Sequence, residues 1–175
     1  KDAVVVREFD LKTKTFVSDG FRLPEAKLNV DWVDTDTLFV ATDFGADSHT
    51  ESGYPRILKV WKRGTKLESA QTIFEGKKSD LSVSGYSTER PEGDTWVVSR
   101  AIDFYSSESF LFNPKTLELK KLDLPQSAEV SGFFNGSVVF LLREDLSAKQ
   151  LKQGSLVQMP VDGKYETDTS LLYAP

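Results

Sequence analysis

The adjacent pair Ser48-His49 is the place in this sequence where nucleophilic catalysis would first be sought. A serine attacks a carbonyl carbon only when a base within hydrogen-bond reach takes its proton, and histidine usually supplies that base. His49 is the single histidine of the 175 residues. Because neighbouring side chains of an extended segment point to opposite sides, we expect no dyad here and assign His49 to a loop without catalytic duty. A G-x-S-x-G turn, which carries the serine of one large hydrolase class, is absent from the sequence. We therefore predict no catalytic residue.

Metal binding is the second chemistry that the residue types suggest. Asp31, Asp34 and Asp36 could supply carboxylate oxygens, but the glycine and the distal glutamate of a calcium loop are missing. The sequence contains no cysteine, which excludes thiolate zinc sites, disulfides and cysteine nucleophiles. We interpret the three aspartates as a solvated hairpin turn and predict neither a metal site nor a cofactor.

The segment 43–56 is the best candidate for binding. It inserts a long stretch between two predicted strands, and loops of this length usually have a function. Glu51, Tyr54 and Arg56 could reach a ligand, a partner surface or one another. Two readings stay open, direct substrate contact and a structural role in which Arg56 pairs with a carboxylate inside the fold.

Composition limits the partners. The net charge is −5 with both signs interspersed, and no basic block is present to neutralise phosphates. Nucleic acid and anionic membranes are therefore excluded as expected partners. No apolar run approaches the roughly 18 residues of a membrane span, so we expect a soluble protein, either cytoplasmic or periplasmic.

The elements that must position these residues are short strands. Strand-like runs bounded by turn residues occur along the whole chain: Val4–Val6, Leu38–Val40, Ile57–Trp61, Trp96–Val98, Phe110–Phe112 and Val138–Leu142. Asn135-Gly136 suits a two-residue type I′ hairpin, and Pro91-Glu92-Gly93-Asp94 predicts another turn.

These hairpins recur at a regular interval. Similar hairpin segments are anchored at Phe9, Trp61, Phe112 and Met159, with spacings of 52, 51 and 47 residues. A repeat of about 40 to 50 residues with four short strands is typical of β-propeller blades. The predicted fold is therefore all-β, an incomplete propeller of about three and a half four-stranded antiparallel blades in a single domain, 1–175. A β-sandwich of irregular hairpins is the alternative, because strand counts do not distinguish the two.

The repeat also predicts where the blades lie. Residues 1–20 are assigned to the end of one blade, and the following blades are assigned to 28–76, 81–122 and 128–175. Since the chain starts at Lys1 and both ends lie beside strands, we expect it to be cut from a longer protein. An open arc leaves two terminal sheet faces that are apolar if they were built to stack, so we expect self-association.

Several stretches resemble the propeller domain of bacterial prolyl oligopeptidase family proteins. The resemblance rests on these segments, which keep the family's order: Arg7–Asp10, Asp19–Phe21, Leu23–Lys27, Thr42–Gly45, Thr50–Arg56, Trp61–Gly64, Phe74–Gly76 and Leu122–Pro125. In that family a seven-bladed propeller caps an α/β-hydrolase domain with a Ser/Asp/His triad, and the enzyme cleaves short peptides after proline.

The resemblance implies a function without catalysis. None of the triad positions falls in this chain, so the resemblance implies a propeller segment that gates the access of short peptides to a hydrolase domain in the same parent chain. The alternative is a freestanding propeller-like module that binds a protein or a small ligand through its loops.

Overall fold

The computed structural model describes residues 2–88 and 93–175. The first four strands in these ranges are β1 (Val4–Arg7), β2 (Phe9–Asp10), β3 (Thr15–Phe16) and β4 (Arg22–Ala26). Twelve further strands form three sheets that we name I, II and III in chain order.

The three sheets are meanders of four antiparallel strands. Sheet I contains β5 (Asn29–Asp34), β6 (Thr37–Ala41), β7 (Ile57–Lys62) and β8 (Gln71–Glu75). Sheet II contains β9 (Ser82–Thr88), β10 (Thr95–Ala101), β11 (Ser107–Asn113) and β12 (Glu118–Lys121). Sheet III contains β13 (Glu129–Phe134), β14 (Ser137–Leu141), β15 (Leu156–Pro160) and β16 (Ser170–Tyr173), with the helical turn α1 (Tyr165–Asp168) before its last strand. Within each sheet, every strand pairs with the next strand of the chain.

The repeat positions found in the sequence are structurally equivalent. Trp61, Phe112 and Met159 all lie in the third strand of their sheets, β7, β11 and β15. Each pairs across to the second strand of the same sheet. The predicted period is therefore the period of the sheets.

The chain begins with a long, interrupted hairpin. Strand β1 pairs with β4, and β2 pairs with β3, so the pairing continues to Ala26, past the predicted blade end at residue 20. Local sequence does not indicate β4, because proline and glutamate, here Pro24 and Glu25, are depleted in strands. Leu23 stabilises the strand by packing at 2% exposure against sheet I, beside an irregularity in β1 that accommodates the proline.

The sheets stack face to face, and the inner ones bury both faces. In β6, Leu38 and Val40 face the hairpin, whereas Phe39 and Ala41 face sheet II. The same alternation in β10 sends Val98 toward sheet I and Val97 toward sheet III. A two-layer sandwich would bury one face of each sheet. The serial stack confirms the prediction of an all-β, incomplete propeller, whose sheets do not close into a ring.

The first strands of sheets I and II meet edge to edge. Asn29 Oδ1 accepts a hydrogen bond from the N–H of Gly85 at 2.9 Å, and Asp31 Oδ2 accepts one from the N–H of Ser87 at 2.8 Å. Gly85 permits this approach, since a Cβ there would lie 2.8 Å from Cγ of Phe39. The edge of β9 is therefore covered by side chains of β5.

Because consecutive strands run antiparallel, the connections between them lie alternately at the two ends of the stack. The segments after the second and fourth strands lie at one end, which we name the long-loop end: 42–56, 76–81, 102–106, 122–128 and 142–155. The tight turns after the first strands lie at the other, the turn end. Asn135 and Gly136 both have positive φ there, 45° and 70°, which confirms the predicted type I′ hairpin. Pro91 and Glu92, in the other predicted turn, lie outside the described residues.

Helices are short throughout the described ranges. None of them has the length and apolar character needed to cross a membrane.

Candidate functional site

The segment 42–56 is a folded loop held by its neighbours. The N–H of Thr50 donates to Tyr54 O at 2.8 Å, and the N–H of Glu51 donates to Lys78 O at 2.8 Å. The hydroxyls of Thr50 and Ser52 both donate to Leu81 O, at 3.1 and 2.9 Å. These bonds fasten the loop to the connection between sheets I and II, so its shape is set by the packing of two sheets.

Ser48 and His49 do touch, contrary to the expectation that adjacent side chains diverge. Ser48 Oγ lies 3.3 Å from Nδ1 of His49, directly after the turn at Gly45–Asp47. The hydroxyl is committed to the loop: it donates to Gly45 O at 2.7 Å and accepts from the N–H of Phe44 at 3.0 Å. Ser48 is 1% exposed, so a substrate carbonyl has no access to it. The contact braces the loop.

Arg56 pairs with a carboxylate, that of Glu75, but at the surface and not inside the fold as one of the two interpretations of the sequence expected. Its Nε donates to Asp47 O at 2.6 Å, and its Nη1 donates to Gly76 O at 3.2 Å and lies 3.4 Å from Glu75 Oε2. The Arg56 side chain is mostly covered, whereas that of Glu75 is more than half exposed, so the pair lies at the surface of the long-loop end. Its carbonyl bonds join both ends of the loop to sheet I.

Tyr54 is held on the opposite flank of the loop. Its hydroxyl donates to Asp2 Oδ2 at 2.5 Å, and Lys27 Nζ lies 4.2 Å from the ring centroid. The hydrogen bond from Tyr54 lowers the pKa of Asp2 and raises the pKa of the Tyr54 hydroxyl. Tyr54 therefore connects the loop to the start of the chain.

Glu51 is the one of the three predicted site residues whose side chain is exposed and unengaged within the described residues. It borders a shallow depression of about 560 Å³ that Asp43, His49 and Lys78 also line. The structure thus brings Glu51, Tyr54 and Arg56 into one loop, but it gives the last two intramolecular partners.

A buried ion network lies between this loop and sheet II, and local spacing did not reveal it. Arg100 Nε and Nη2 donate to the two carboxylate oxygens of Asp80 at 2.8 and 2.7 Å, and Nη1 donates to Glu108 Oε2 at 3.1 Å. Lys121 Nζ donates to Glu108 Oε1 at 2.7 Å. The Asp80 side chain is 1% exposed. In the sequence, the network could have been indicated by the opposite charges of Arg100 and Glu108 on consecutive strands. These two residues pair directly across β10 and β11.

The network keeps its carboxylates ionised. Hydrogen bonds from Arg100 lower the pKa of Asp80, and the Lys121 ammonium lowers the pKa of Glu108. Both acids are matched by cations, so neither is poised to exchange a proton near neutral pH. The network fixes the connection 76–81 that supports the loop.

The three aspartates considered as metal ligands serve the fold. Asp31 accepts the N–H of Ser87, Asp34 accepts the N–H of Asp36 at 2.8 Å, and Asp36 accepts from Arg63 Nε at 2.9 Å. Among the described residues, acidic and histidine side chains do not gather into a group that could hold a metal ion.

Comparison with known proteins gives the family. Residues 1–170 match the family model described as the prolyl oligopeptidase N-terminal beta-propeller domain. An uncharacterized peptidase of Sinorhizobium fredii is 37% identical over 150 residues, which are 83% of this chain and 20% of that protein. An uncharacterized peptidase of Rickettsia prowazekii is 33% identical over 173 residues, 91% of this chain and 24% of that protein.

Solved structures agree in fold. A post-proline cleaving enzyme from Rickettsia typhi superposes with a TM-score of 0.89 at 30% identity over 100% of this chain and 28% of that one. Oligopeptidase B from Leishmania major shares the fold, with a TM-score of 0.68 at 12% identity over 99% of this chain and 23% of that one. This chain therefore spans between a fifth and just over a quarter of the length of these proteins. The match of the family model over nearly all its residues shows that the chain belongs to the prolyl oligopeptidase family, as part of the N-terminal β-propeller domain.

Proposed function

We propose that this chain is a non-catalytic propeller segment of a prolyl oligopeptidase-like serine peptidase. In this proposal the segment forms a single partial propeller domain, and it gates the access of short peptides to an α/β-hydrolase domain of the same parent protein. The family membership supports the enzyme class, and the short span of the chain relative to its matches supports a larger parent. The observation that supports the gating role is that the loop 42–56 is hydrogen-bonded to the connection 76–81. In this proposal the loop is a fixed part of the rim of the opening through which peptides pass.

A size series tests the gating role in the full-length peptidase. We expect a proline-containing hexapeptide to be cleaved with a kcat/KM at least about 100-fold higher than the same six residues displayed in a loop of a folded protein, because a firm rim excludes folded domains. The control is the same display protein after denaturation and trapping in the unfolded state, which restores cleavage. Equal kcat/KM values for the free and the displayed hexapeptide would contradict gating.

The three loop residues take different parts in this proposal. We assign Glu51 to substrate contact, since its exposed carboxylate can pair with the ammonium group of a short peptide. We assign Tyr54 and Arg56 to holding the loop, with substrate contact through them as the alternative that the next experiment decides.

Two substitutions in the full-length peptidase separate these parts. Arg56→Ala is expected to lower the free energy of unfolding by about 2 kcal/mol, because charge-assisted bonds to two carbonyls and to Glu75 are lost. Glu51→Gln should leave stability unchanged and raise KM for peptides with a free amino terminus but not for acetylated ones. Thermal unfolding and peptide turnover give both readouts. A stable Arg56→Ala enzyme with reduced turnover would reverse the assignment.

The isolated chain is also expected to self-associate through its terminal sheets. Large apolar side chains are between 44% and 67% exposed on the terminal hairpin and on sheet III: Val4, Val5, Phe9, Phe16, Phe134, Leu171, Leu172 and Tyr173. Exposed apolar side chains on both terminal sheets of the stack favour association in water, because association removes their surface from the solvent. Sedimentation equilibrium at tens of micromolar should give a mass above 19.6 kDa. A strictly monomeric species would contradict this expectation, and Leu172→Lys with Val5→Lys should shift the equilibrium toward monomer.

A further inference from the structure

The seam between sheets II and III differs from the seam between sheets I and II. Asn29 and Asp31 of β5 pair with Ala41 and Phe39 in β6, and they cover the edge of β9. In sheet II the matching positions of β9 are Ser84 and Tyr86, which pair with Ser99 and Val97 in β10. Phe39 and Val97 are equivalent because each enters the core shared with the next sheet.

The hydroxyls at this second seam are not used by the fold. Neither Ser84 nor Tyr86 makes a side-chain hydrogen bond within the described parts of the chain, although burial raises the pKa of the Tyr86 hydroxyl and keeps it a donor. At the seam between sheets I and II, the amide of Asn29 and the carboxylate of Asp31 bond the edge of β9. At the seam between sheets II and III, the equivalent side chains of Ser84 and Tyr86 are hydroxyls, each of which can donate and accept a hydrogen bond.

A cleft of about 810 Å³ opens at this seam on the long-loop end. Its walls include Tyr86, Ser99 and Ser107, together with apolar groups of Leu81 and Val130. The hydroxyls of Ser99 and Ser107 also have no hydrogen-bond partner among the described residues. The volume lies within the range of roughly 300 to 1,000 Å³ that is usual for ligand sites.

Two adjacent aromatic residues stand at the mouth of the cleft. Phe104 is 83% exposed and Tyr105 is 88% exposed. Their turn is closed, since the N–H of Ile102 donates to Ser106 O at 2.9 Å and the N–H of Tyr105 donates to Asp103 Oδ1 at 2.7 Å. Water-exposed rings held in this way are suited to pack on an apolar ligand group.

The charged side chains that line the cleft, those of Asp103, Glu129 and Arg143, all lie in its exposed part. Arg143 forms an ion pair with Glu129, and Asp103 accepts the backbone N–H of Tyr105. The less exposed part of the lining, which includes Tyr86, Ser99 and Ser107, carries hydroxyl and apolar groups but no charged side chain. A charged group placed there would lose hydration without meeting a counterion. The complementary occupant is therefore uncharged, with hydrogen-bonding groups along its length and apolar side groups.

We propose that the cleft between sheets II and III binds an extended, uncharged peptide segment, with Tyr86, Ser99 and Ser107 bonding its peptide groups and Phe104 and Tyr105 packing on its side chains. This inference rests on the proposed function, in which short peptides pass this domain, and it adds a place where they are held. Peptide groups supply one donor and one acceptor per residue, which matches the unused hydroxyls, and proline or alanine side groups match the apolar walls.

Titration of the isotopically labelled 175-residue chain by NMR tests the site. The probe is an acetylated, amidated hexapeptide of alternating alanine and proline, and we expect shift changes centred on Tyr86, Ser99 and Ser107. Tyr86→Phe, which removes only a hydroxyl, should raise Kd about 5-fold, the effect of one lost hydrogen bond. Phe104→Ser with Tyr105→Ser should raise it at least about 10-fold. The control is Leu11→Ser in the turn between β2 and β3, an apolar side chain that is also 84% exposed, and this substitution should leave Kd unchanged.

Several outcomes would overturn the proposal. These are shift changes centred on 43–56 with no effect of Tyr86→Phe, equal affinity for a hexapeptide of alternating lysine and glutamate, or no shift changes at millimolar peptide. Hydrogen exchange in the full-length protein gives one more test. If the peptide does not protect the amides of the cleft there, because another domain already covers them, the proposal is also overturned. If the peptide does not bind the cleft but the full-length peptidase still selects substrates by size, only the present inference is wrong. If the peptide binds the cleft but the peptidase does not select by size, the gating function is wrong and the peptide site remains.

Discussion

Replacing Asp80 by alanine is expected to lower the free energy of unfolding by about 3–5 kcal/mol, the usual cost of breaking a buried ion pair by removing one partner. The side chain is 1% exposed and accepts two hydrogen bonds from Arg100 and one from the N–H of Lys77 at 2.6 Å. The substitution leaves the Arg100 guanidinium, which is only 15% exposed, with Glu108 as its remaining acidic partner. Urea unfolding followed by circular dichroism measures the change.

A surface pair provides the control for Asp80. Lys152 and Asp145 form an ion pair at 2.8 Å, but their side chains are 72% and 47% exposed. Because solvent screens such a pair, Lys152→Ala should leave the unfolding midpoint unchanged. An equal loss for both variants would show that the Asp80 network is not buried in solution.

The same network determines a pH dependence. The pKa values of Asp80 and Glu108 are lowered in the folded state, so their contribution to stability is present above their unfolded values near 4 and is lost as the pH falls through the folded values. We therefore expect the urea midpoint to fall as the pH is lowered from about 5 to 3. Glu108→Gln should be less stable at pH 7 but should show a flatter profile in this interval. If the stability of Glu108→Gln falls as steeply between about pH 5 and 3 as that of the unaltered chain, Glu108 is not a source of the pH dependence.

Replacing Phe39 by alanine is expected to lower the free energy of unfolding by about 3–5 kcal/mol, through lost apolar burial and the cavity that remains. Phe39 is 0% exposed and packs edge to face on Phe112, with ring centroids 5.2 Å apart. Leu58 and the backbone of Gly85 close the other sides of its site. Because these groups come from two sheets, the cavity cannot collapse unless the sheets shift relative to each other.

Phe104→Ala is the matched control for Phe39. The same side chain is removed, but at a site that is 83% exposed, so the free energy of unfolding should stay within about 0.5 kcal/mol. A small effect at Phe39, below about 1 kcal/mol, would mean that sheets I and II do not share a close-packed layer in solution.

Local patterns predicted the elements of the fold well. Alternation of apolar and polar residues and turn dipeptides act over a few neighbours, so strands such as Leu38–Val40 and the turn at Asn135-Gly136 could be identified without knowledge of their partners. The regular spacing of Phe9, Trp61, Phe112 and Met159 also reflected a repeated unit. Strand β4 was missed because Leu23 is held by contacts with sheet I, against the local preference of Pro24.

The candidate site was less accessible to sequence reasoning. The segment 43–56 was identified by its length, yet the partners of its residues lie far along the chain: Tyr54 bonds Asp2, and Arg56 bonds Gly76. The expectation that the side chains of Ser48 and His49 diverge was wrong, since Ser48 Oγ lies 3.3 Å from Nδ1 of His49.

By itself, the sequence determined that the chain repeats a four-stranded unit and that its long insertion is 43–56. Only the tertiary structure decided which charges and hydroxyls meet. Asp80 meets Arg100 across the junction of two sheets, whereas the hydroxyl of Tyr86 meets no partner among the described residues. The physical reason is that burial and hydrogen bonding depend on distances between sheets, which no local periodicity specifies.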